Sequence, residues 1–486
     1  MSATARVQEP TVGTVRFGRR GSRGVLLGLS AARVVALVCA FVGVLRALYV
    51  GGGQAVAWTT PLWGTAIASA FVPVAGRRAA EWVPVAGHWA LRRALHQNVY
   101  GVRVLRPRPA GTLALPGDAA ALRLHLDEVS GAAMLHDPHA GTLTAVAKVR
   151  HCAFVLLGPA DQARRVAAWG RVYATLAQSG RIARVQVLER TLPDSGQAVH
   201  QHWAEHGLDD GSVAVRWYAE LVKAAGPTSE RHDTTISISL DMARARRAIR
   251  SEGGGLAGAA VVLRQELTSL TAALRTAEIT VEGWSTPADL AVMLRQAYDP
   301  AACATLDRHQ VGRDPSTAGP VVVEEHWDHL RTDTGLHAVY WISEWPRSEV
   351  FPSFLSSILL SAGVRRSTSI VAQPLTASEA MRSIRKERVE YQTDAAQRQR
   401  IGQLTDYATE QEWADVNQRE RELVSGHGDL RFAGFLCAPA DDEAGLQAAR
   451  ASIEQSAIQA GCETRLLVGQ QAQAFTAAAL PLCRGI

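Results

Sequence analysis

Residues Ala55 to Ala75, AVAWTTPLWGTAIASAFVPVA, run for 21 residues without a formal charge. As a helix at about 1.5 Å per residue this stretch reaches about 31 Å, which is enough to span the hydrocarbon core of a bilayer. Pro61 lies near its start and Pro73 near its end, where absent backbone donors cost least, and Trp58 and Trp63 fall toward one interface, where amphipathic rings settle. Upstream, Val34 to Leu45 is apolar for only 12 residues. A first span therefore takes in Arg46, which snorkels to the headgroups or contacts a neighbouring helix, and continues through Val50 toward Gly51–Gly53. A basic start, an apolar stretch and small residues also suit a signal peptide, but the second span directly behind favours a retained hairpin. The expected organisation begins with a basic tail over 1–24, a transmembrane hairpin over 25–80 and a juxtamembrane linker over 81–110.

Arg16, Arg19, Arg20 and Arg23 precede the first span, Arg77, Arg78, Arg92 and Arg93 follow the second, and the turn between the spans carries no charge. This places both termini and the bulk of the chain in the cytoplasm, in a multi-pass protein of the cell (inner) membrane. Six cysteines (39, 152, 303, 437, 462 and 483) lie far apart with no C-x-x-C pair, which suits a reducing compartment and indicates neither a disulfide framework nor a zinc ribbon. Trp82 to Leu95, WVPVAGHWALRRAL, mixes aromatic and basic groups and either lies along the membrane surface or forms an ordinary linker helix. With 51 Lys and Arg against 46 Asp and Glu the net charge is +5, and direct nucleic-acid binding is not indicated.

At 486 residues, 47% of them apolar and 20% charged, the chain is long enough for two or three folded domains. Beyond Tyr100 the apolar period alternates between two and about 3.6, the pattern of mixed strands and helices. His151–Leu157 reads as a buried strand, followed by a helix capped by Asp161 and ended by Gly180; Arg184–Leu192 and Thr234–Leu240 read as further strands, with broken helical material over Val199–Leu221. A second cycle places strands at Leu336–Glu344, Ser367–Ala372, Arg431–Ala438 and Cys462–Val468, and helices at Val350–Ala362 and Glu443–Gln459. The predicted fold class is α+β, with two ferredoxin-like split β-α-β lobes: 111–250, a linking helix and connector over 251–330, and 331–486. The stretch from about Thr376 to Val424, dense in Arg, Glu and Gln, predicts a solvated helix or helical hairpin, or a partner-docking arm, starting near Ser378.

The chemistry-bearing patterns are incomplete. No G-x-x-x-x-G-K-[ST] loop is present to hold nucleotide phosphates. Gly253, Gly255 and Gly258 satisfy G-x-G-x-x-G, but the polar, helix-like residues before them are not the strand that a dinucleotide site requires. His200, His202 and His206 form H-x-H-x-x-x-H, in which His202 and His206 share a helical face able to chelate a metal while His200 faces elsewhere. Glu324, Glu325, His326, Asp328 and His329 cluster without the H-E-x-x-H order, and a solvated loop is the default reading. There is no G-x-S-x-G elbow and no cysteine in a nucleophile context. The sequence therefore assigns no catalytic, cofactor-binding or metal residues and implies no cofactor.

Tyr340–Leu355, YWISEWPRSEVFPSFL, a strand ending in Trp345 and Pro346 that leads into a helix, resembles the N-terminal, non-ATPase region of the large ATPases of conjugative type IV secretion systems. Val187–Pro193, VLERTLP, the arginine-rich Arg244–Arg250, the polar helix after Thr376 and Ala474–Leu482, AFTAAALPL, resemble the same region in the same order. The hairpin, with FGRRGSRGVLLGLS before it, is similar to PrgI, the two-helix inner-membrane subunit of Gram-positive conjugation systems. The whole resembles actinobacterial integral membrane proteins of such secretion clusters. The resemblance implies a membrane-anchored adaptor, part of an oligomeric complex with inner-membrane channel subunits, on which a separate secretion-system ATPase docks; the nucleotide-binding motifs of that ATPase are missing here. The alternative is a type VII secretion membrane subunit of the EccE kind, which also joins two N-terminal spans to a cytoplasmic α/β part. A membrane-tethered metal-dependent enzyme using the His200 or Glu324 cluster is the remaining reading.

Overall fold

Glycine at positions 51 and 52 decides the shape of the N-terminal region in the computed structural model, which describes residues 14–15, 17, 30–74, 77–103, 105, 109–151, 153–194, 197–207, 210–225, 230–309, 311–361, 363–400 and 407–485. A helical run covers Ala31–Phe71, but Gly51 (φ −144°, ψ 16°) and Gly52 (φ 61°, ψ −151°) leave the helical region, the latter in a conformation that side chains resist. Arg33 Nε donates to the carbonyl oxygen of Ala70 at 2.9 Å. A straight helix would separate these residues by about 55 Å at about 1.5 Å per residue, so the two arms fold back along each other. Ala40, Ala47 and Ala70 are its buried residues, small enough for close backbone approach, while Val35, Trp58 and Leu62 point outward. Ala31–Phe71 is the helix among the described residues that is long and apolar enough to cross a membrane. A ribbon of β1 (Pro73–Val74) and β2 (Arg77–Arg78) follows, then a helix over Ala79–Ala94. These elements form one compact unit within Arg19–Val99.

A second unit takes in the rest, including residues 14, 15 and 17. Its strands are β3 (Val99–Gly101), β4 (Arg123–Leu126), β5 (Ala133–Asp137), β6 (Thr142–Arg150), β7 (Ile182–Pro193), β8 (Glu230–Asp241), β9 (Thr280–Trp284), β10 (Val322–Glu325), β11 (Leu330–Arg331), β12 (Leu336–Glu344), β13 (Ser367–Leu375), β14 (Asp429–Ala440) and β15 (Glu463–Leu466). They build one sheet in the order β3-β10-β11-β12-β14-β13-β7-β8-β6-β5-β4, with β9 beside β6 and β15 beside β12. One connectivity occurs twice. β6, the helix Pro159–Ser179, β7, β8, the helix Gly255–Thr276 and β9 lie in the order β9-β6-β8-β7, and β12, the short helix Ser356–Leu359, β13, β14, the helix Glu443–Gln459 and β15 lie in the order β15-β12-β14-β13.

The expectation of two lobes separated by a connector is corrected by β7 and β13, which pair antiparallel from Val185–Ala372 to Arg190–Ser367 and fuse both sets into one sheet. The connecting residues are part of it too: Gly255–Thr276 and β9 complete the first set, and the helix Pro287–Tyr298 packs on the opposite face. Alternation in the strands explains the layering. Leu143, Ala145 and Ala147 of β6 face the core under Pro159–Ser179 and Gly255–Thr276, while Val146 faces the core shared with Leu290, Leu294 and Phe475. In β12, Ala338, Tyr340 and Ile342 face Glu443–Gln459 and Val339 faces that same shared core. Both faces of these strands are covered, and residues Thr142–Ala147 and His337–Tyr340 are buried without a break.

Several predicted elements shift. His151–Leu157 is not a strand: the strand is the preceding Thr142–Arg150, and Phe154–Leu156 is a single 3-10 turn. Val350–Ala362 yields α-helix only over Ser356–Leu359. The polar region forms helices over Ala377–Arg400 and Tyr407–Val424, and the first starts at Ala377 behind the pair Thr376 and Glu379: Glu379 N donates to Thr376 Oγ1 (3.3 Å) and Thr376 N to the Glu379 carboxylate (3.0 Å). The tail arginines 16, 19, 20 and 23 lie outside the described residues.

The C-terminal residues lock the β7–β13 seam. The fully buried Gln186 on β7 donates to Ala477 O (3.1 Å), Leu480 O (2.9 Å) and Ser369 Oγ (2.9 Å), and accepts from Cys483 N (2.8 Å). Ser237 on β8 adds a bond to Pro481 O at 3.0 Å. Replacing Gln186 by Leu strands these buried partners, so Gln186→Leu is expected to lower stability by about 2–4 kcal/mol in chemical unfolding of the full chain. Arg150→Ala, which removes an exposed pair with Glu282, should cost under about 1 kcal/mol.

Candidate functional site

The histidines singled out by sequence meet only in part. His202 and His206 on the helix Gln197–His206 stack with ring centroids 4.6 Å apart, as their four-residue spacing dictates, and His206 Nδ1 lies 3.3 Å from His202 O. The side chain of His200 lies outside the described residues. Among the described residues no three His, Cys, Asp or Glu side chains are grouped to hold a metal.

The Glu324 cluster is a hairpin end tied to two helices. His326 and His329 stack at 4.4 Å, His329 Nδ1 lies 2.9 Å from Asp328, and Arg450 of Glu443–Gln459 donates to Asp328 at 3.0 Å. Burial opposes ionisation of Asp328, but hydrogen bonds from His329 and Arg450 outweigh it and hold its carboxyl below the usual range. Glu325 is buried and accepts from Ala472 N at 3.0 Å, satisfying the first turn of the helix Gln471–Ala478. Gly253–Gly255 form the turn between the helices Arg246–Ser251 and Gly255–Thr276, and a Cβ on Gly258 would lie 2.6 Å from Ile249 O. The glycines therefore serve helix packing, and a helix stands where a phosphate-binding loop would follow a strand.

A cavity of about 20 Å³, room for about one water, opens at the seam between Arg190, Thr191, Cys303, His337, Ser367 and Cys437. His337 Nε2 lies 2.9 Å from Thr332 Oγ1, and its Nδ1 is 4.0 Å from Cys437 Sγ. Burial drives the His337 pKa down to about 3 and pushes the Cys437 thiol up to about 12, so the pair rests as neutral imidazole and thiol, the reverse of an activated nucleophile and base. Cys303, Cys462 and Cys483 are buried as well.

Thr14 Oγ1 bonds Glu349 (2.9 Å), Val15 bridges Val350, and Phe17 inserts among Trp345, Phe354 and Phe432 with centroids 5.2, 5.3 and 6.2 Å away. Sequence reasoning passed over Phe17, because its aromatic partners lie more than 300 residues away. Two helical excursions leave the sheet. Gln197–His206 and Val213–Ala225 join β7 to β8, and the second of these buries Val222 while exposing Val213, Trp217 and Leu221 on its other side. Ala377–Arg400 and Tyr407–Val424 join β13 to β14, held by Ile384, Tyr391 and Val416 and by the pairs Arg388–Glu420 (2.5 Å) and Arg419–Glu387 (3.2 Å).

Residues 228–342, from β8 to β12, match the family described as "Putative type VII ESX secretion system translocon, EccE". The match supports a membrane component of a secretion system and favours the type VII alternative over the conjugative type IV resemblance. Comparison with curated proteins gave no match.

Two measurements test this geometry. Burial lowers the His337 pKa in the fold to about 3, while the unfolded residue titrates near 6.5, so the unfolded state gains protons first and stability falls as the pH drops below 6.5. Between pH 6 and 4, His337→Asn should remove about 1.4 kcal/mol per pH unit from the slope of unfolding free energy against pH. Phe17→Ala should speed hydrogen exchange at the Val350 amide, which donates to Val15 O at 3.0 Å, by tenfold or more on the scale of about 1.4 kcal/mol, while exchange in β7 and β13 stays unchanged.

Proposed function

We propose that this chain is a membrane-anchored structural subunit of a type VII-like secretion translocon, of the EccE kind. The observation that carries the reading is the match over 228–342, which falls on the folded sheet and accompanies an apolar folded-back helix near the N-terminus. In this reading the two arms of Ala31–Phe71 cross the bilayer, both ends of the hairpin face the cytoplasm where the arginines lie, and the sheet unit holds other subunits without turning over a substrate. We read its two sets of elements as ferredoxin-like units fused edge to edge, since each has their split β-α-β order. The fusion gives a broad, stiff platform, and the excursions from β7–β8 and β13–β14 supply surfaces for partners.

Purification of the full chain in mild detergent from cells carrying its own gene cluster should recover type VII core subunits. Recovery of a conjugation-type ATPase in their place overturns the type VII assignment. Protease added outside intact cells should leave the sheet unit uncut, and its cleavage there overturns the orientation. Purified protein should neither hydrolyse nucleotide nor hold stoichiometric metal that His202→Ala removes.

A further inference from the structure

The smaller unit concentrates positive charge. From Arg19 to Val99 the sequence has nine arginines and a single acid, Glu81, a net charge of +8, while the whole chain carries +5, so the remaining residues are net negative. Arg46 lies near the Gly51–Gly52 turn, but Arg33, Arg77 and Arg78 gather at the open end of the hairpin. There Arg33 reaches Ala70 O, Arg78 donates to Phe71 O at 2.6 Å, and Ala79 N donates to Val72 O at 3.0 Å. The helix Ala79–Ala94 starts at this level, where Ser30 Oγ donates to Glu81, the one acid between Arg19 and Val99, at 2.6 Å. Two guanidinium groups lie over indole rings: Arg77 over Trp82 at 5.7 Å and Arg93 over Trp89 at 5.2 Å. A guanidinium held over an indole ring retains its fork of N–H donors, which suits two oxygens of one phosphate. The same helix turns Val83, Ala86, Ala90, Leu91 and Ala94 outward, an uncharged face with Val83 and Leu91 largely exposed. Arginine and tryptophan at the mouth of an apolar hairpin, beside a helix with an apolar outer face, match an interface with phosphates above and acyl chains below.

We propose that this basic and aromatic collar binds the phosphodiester headgroups of anionic phospholipids, with Ala79–Ala94 lying in the bilayer interface. The inference rests on the bilayer reading of Ala31–Phe71 and not on the secretion partner.

The test uses the full chain reconstituted in phosphatidylcholine vesicles containing a minor share of phosphatidylglycerol, re-extracted gently, with bound lipid measured by mass spectrometry. Phosphatidylglycerol should be enriched at least about fivefold over its share of the mixture, and the enrichment should fall as salt is raised. The combined variant R77Q/R78Q/R92Q/R93Q should lose the enrichment, and the corresponding lysine variant should keep part of it, because the charge remains while the stacked fork is gone. Proportional lipid uptake by the natural protein overturns the proposal, as does undiminished enrichment in the glutamine variant. If the fourfold variant fails to accumulate, the R92Q/R93Q pair is expected to halve the enrichment, and no change in it is equally decisive. Carbonate extraction separates the two layers: a natural chain released from the membrane refutes the bilayer reading itself, whereas an inserted chain without lipid preference refutes only the collar.

Discussion

The antiparallel pairing of β7 with β13 is the contact on which the larger unit depends. Each set of strands and helices ends at one of these two strands, and without the pairing each would present an open edge of hydrogen-bonding groups to water. The pairing alone does not secure the seam. The buried Gln186 of β7 bonds Ser369 of β13 across the seam and finds its other partners in the C-terminal turn, so those C-terminal residues close the join between the middle segments. Leaving these groups unpaired in the core would cost more than their hydrogen bonds contribute, which ties the correct placement of the C-terminal turn to the correct register of the seam.

The smaller unit obeys the opposite solvent rule. Its buried residues are alanines and its large apolar side chains face outward, the arrangement that suits lipid rather than water. The chain thus carries two solubility regimes, divided near Val99. In the larger unit burial keeps the Cys437, Cys462 and Cys483 thiols protonated and the His337 imidazole neutral, and the polar clusters tie strand ends to helices.

Local signals in the sequence carried far, and long-range pairing did not. Glu443–Gln459 and Leu336–Glu344 match their apolar periods residue for residue, and Gly180 stops its helix in the left-handed region as anticipated. Thr142–Arg150 was overlooked because its alanines and threonines blur the apolar alternation, and the more hydrophobic HCAFVLL beside it drew the strand assignment. The seam was invisible because register between strands nearly 200 residues apart leaves no local mark. Phe17 was missed for the same reason: its partners, Trp345, Phe354 and Phe432, are more than 300 residues away. The paired histidines on one helical face were legible, but the role of Glu325 as a helix-end acceptor emerges only from the fold.

The reversal of direction at the seam also sets where the two helical excursions point. β7 ends beside the start of β13, and β13 ends beside the start of β7, where Gly180 meets Thr376. One excursion therefore leaves each end of the central strands. β7 is about 40 Å long at about 3.3 Å per residue, so the apolar helix and the charged hairpin stand at opposite poles of the sheet.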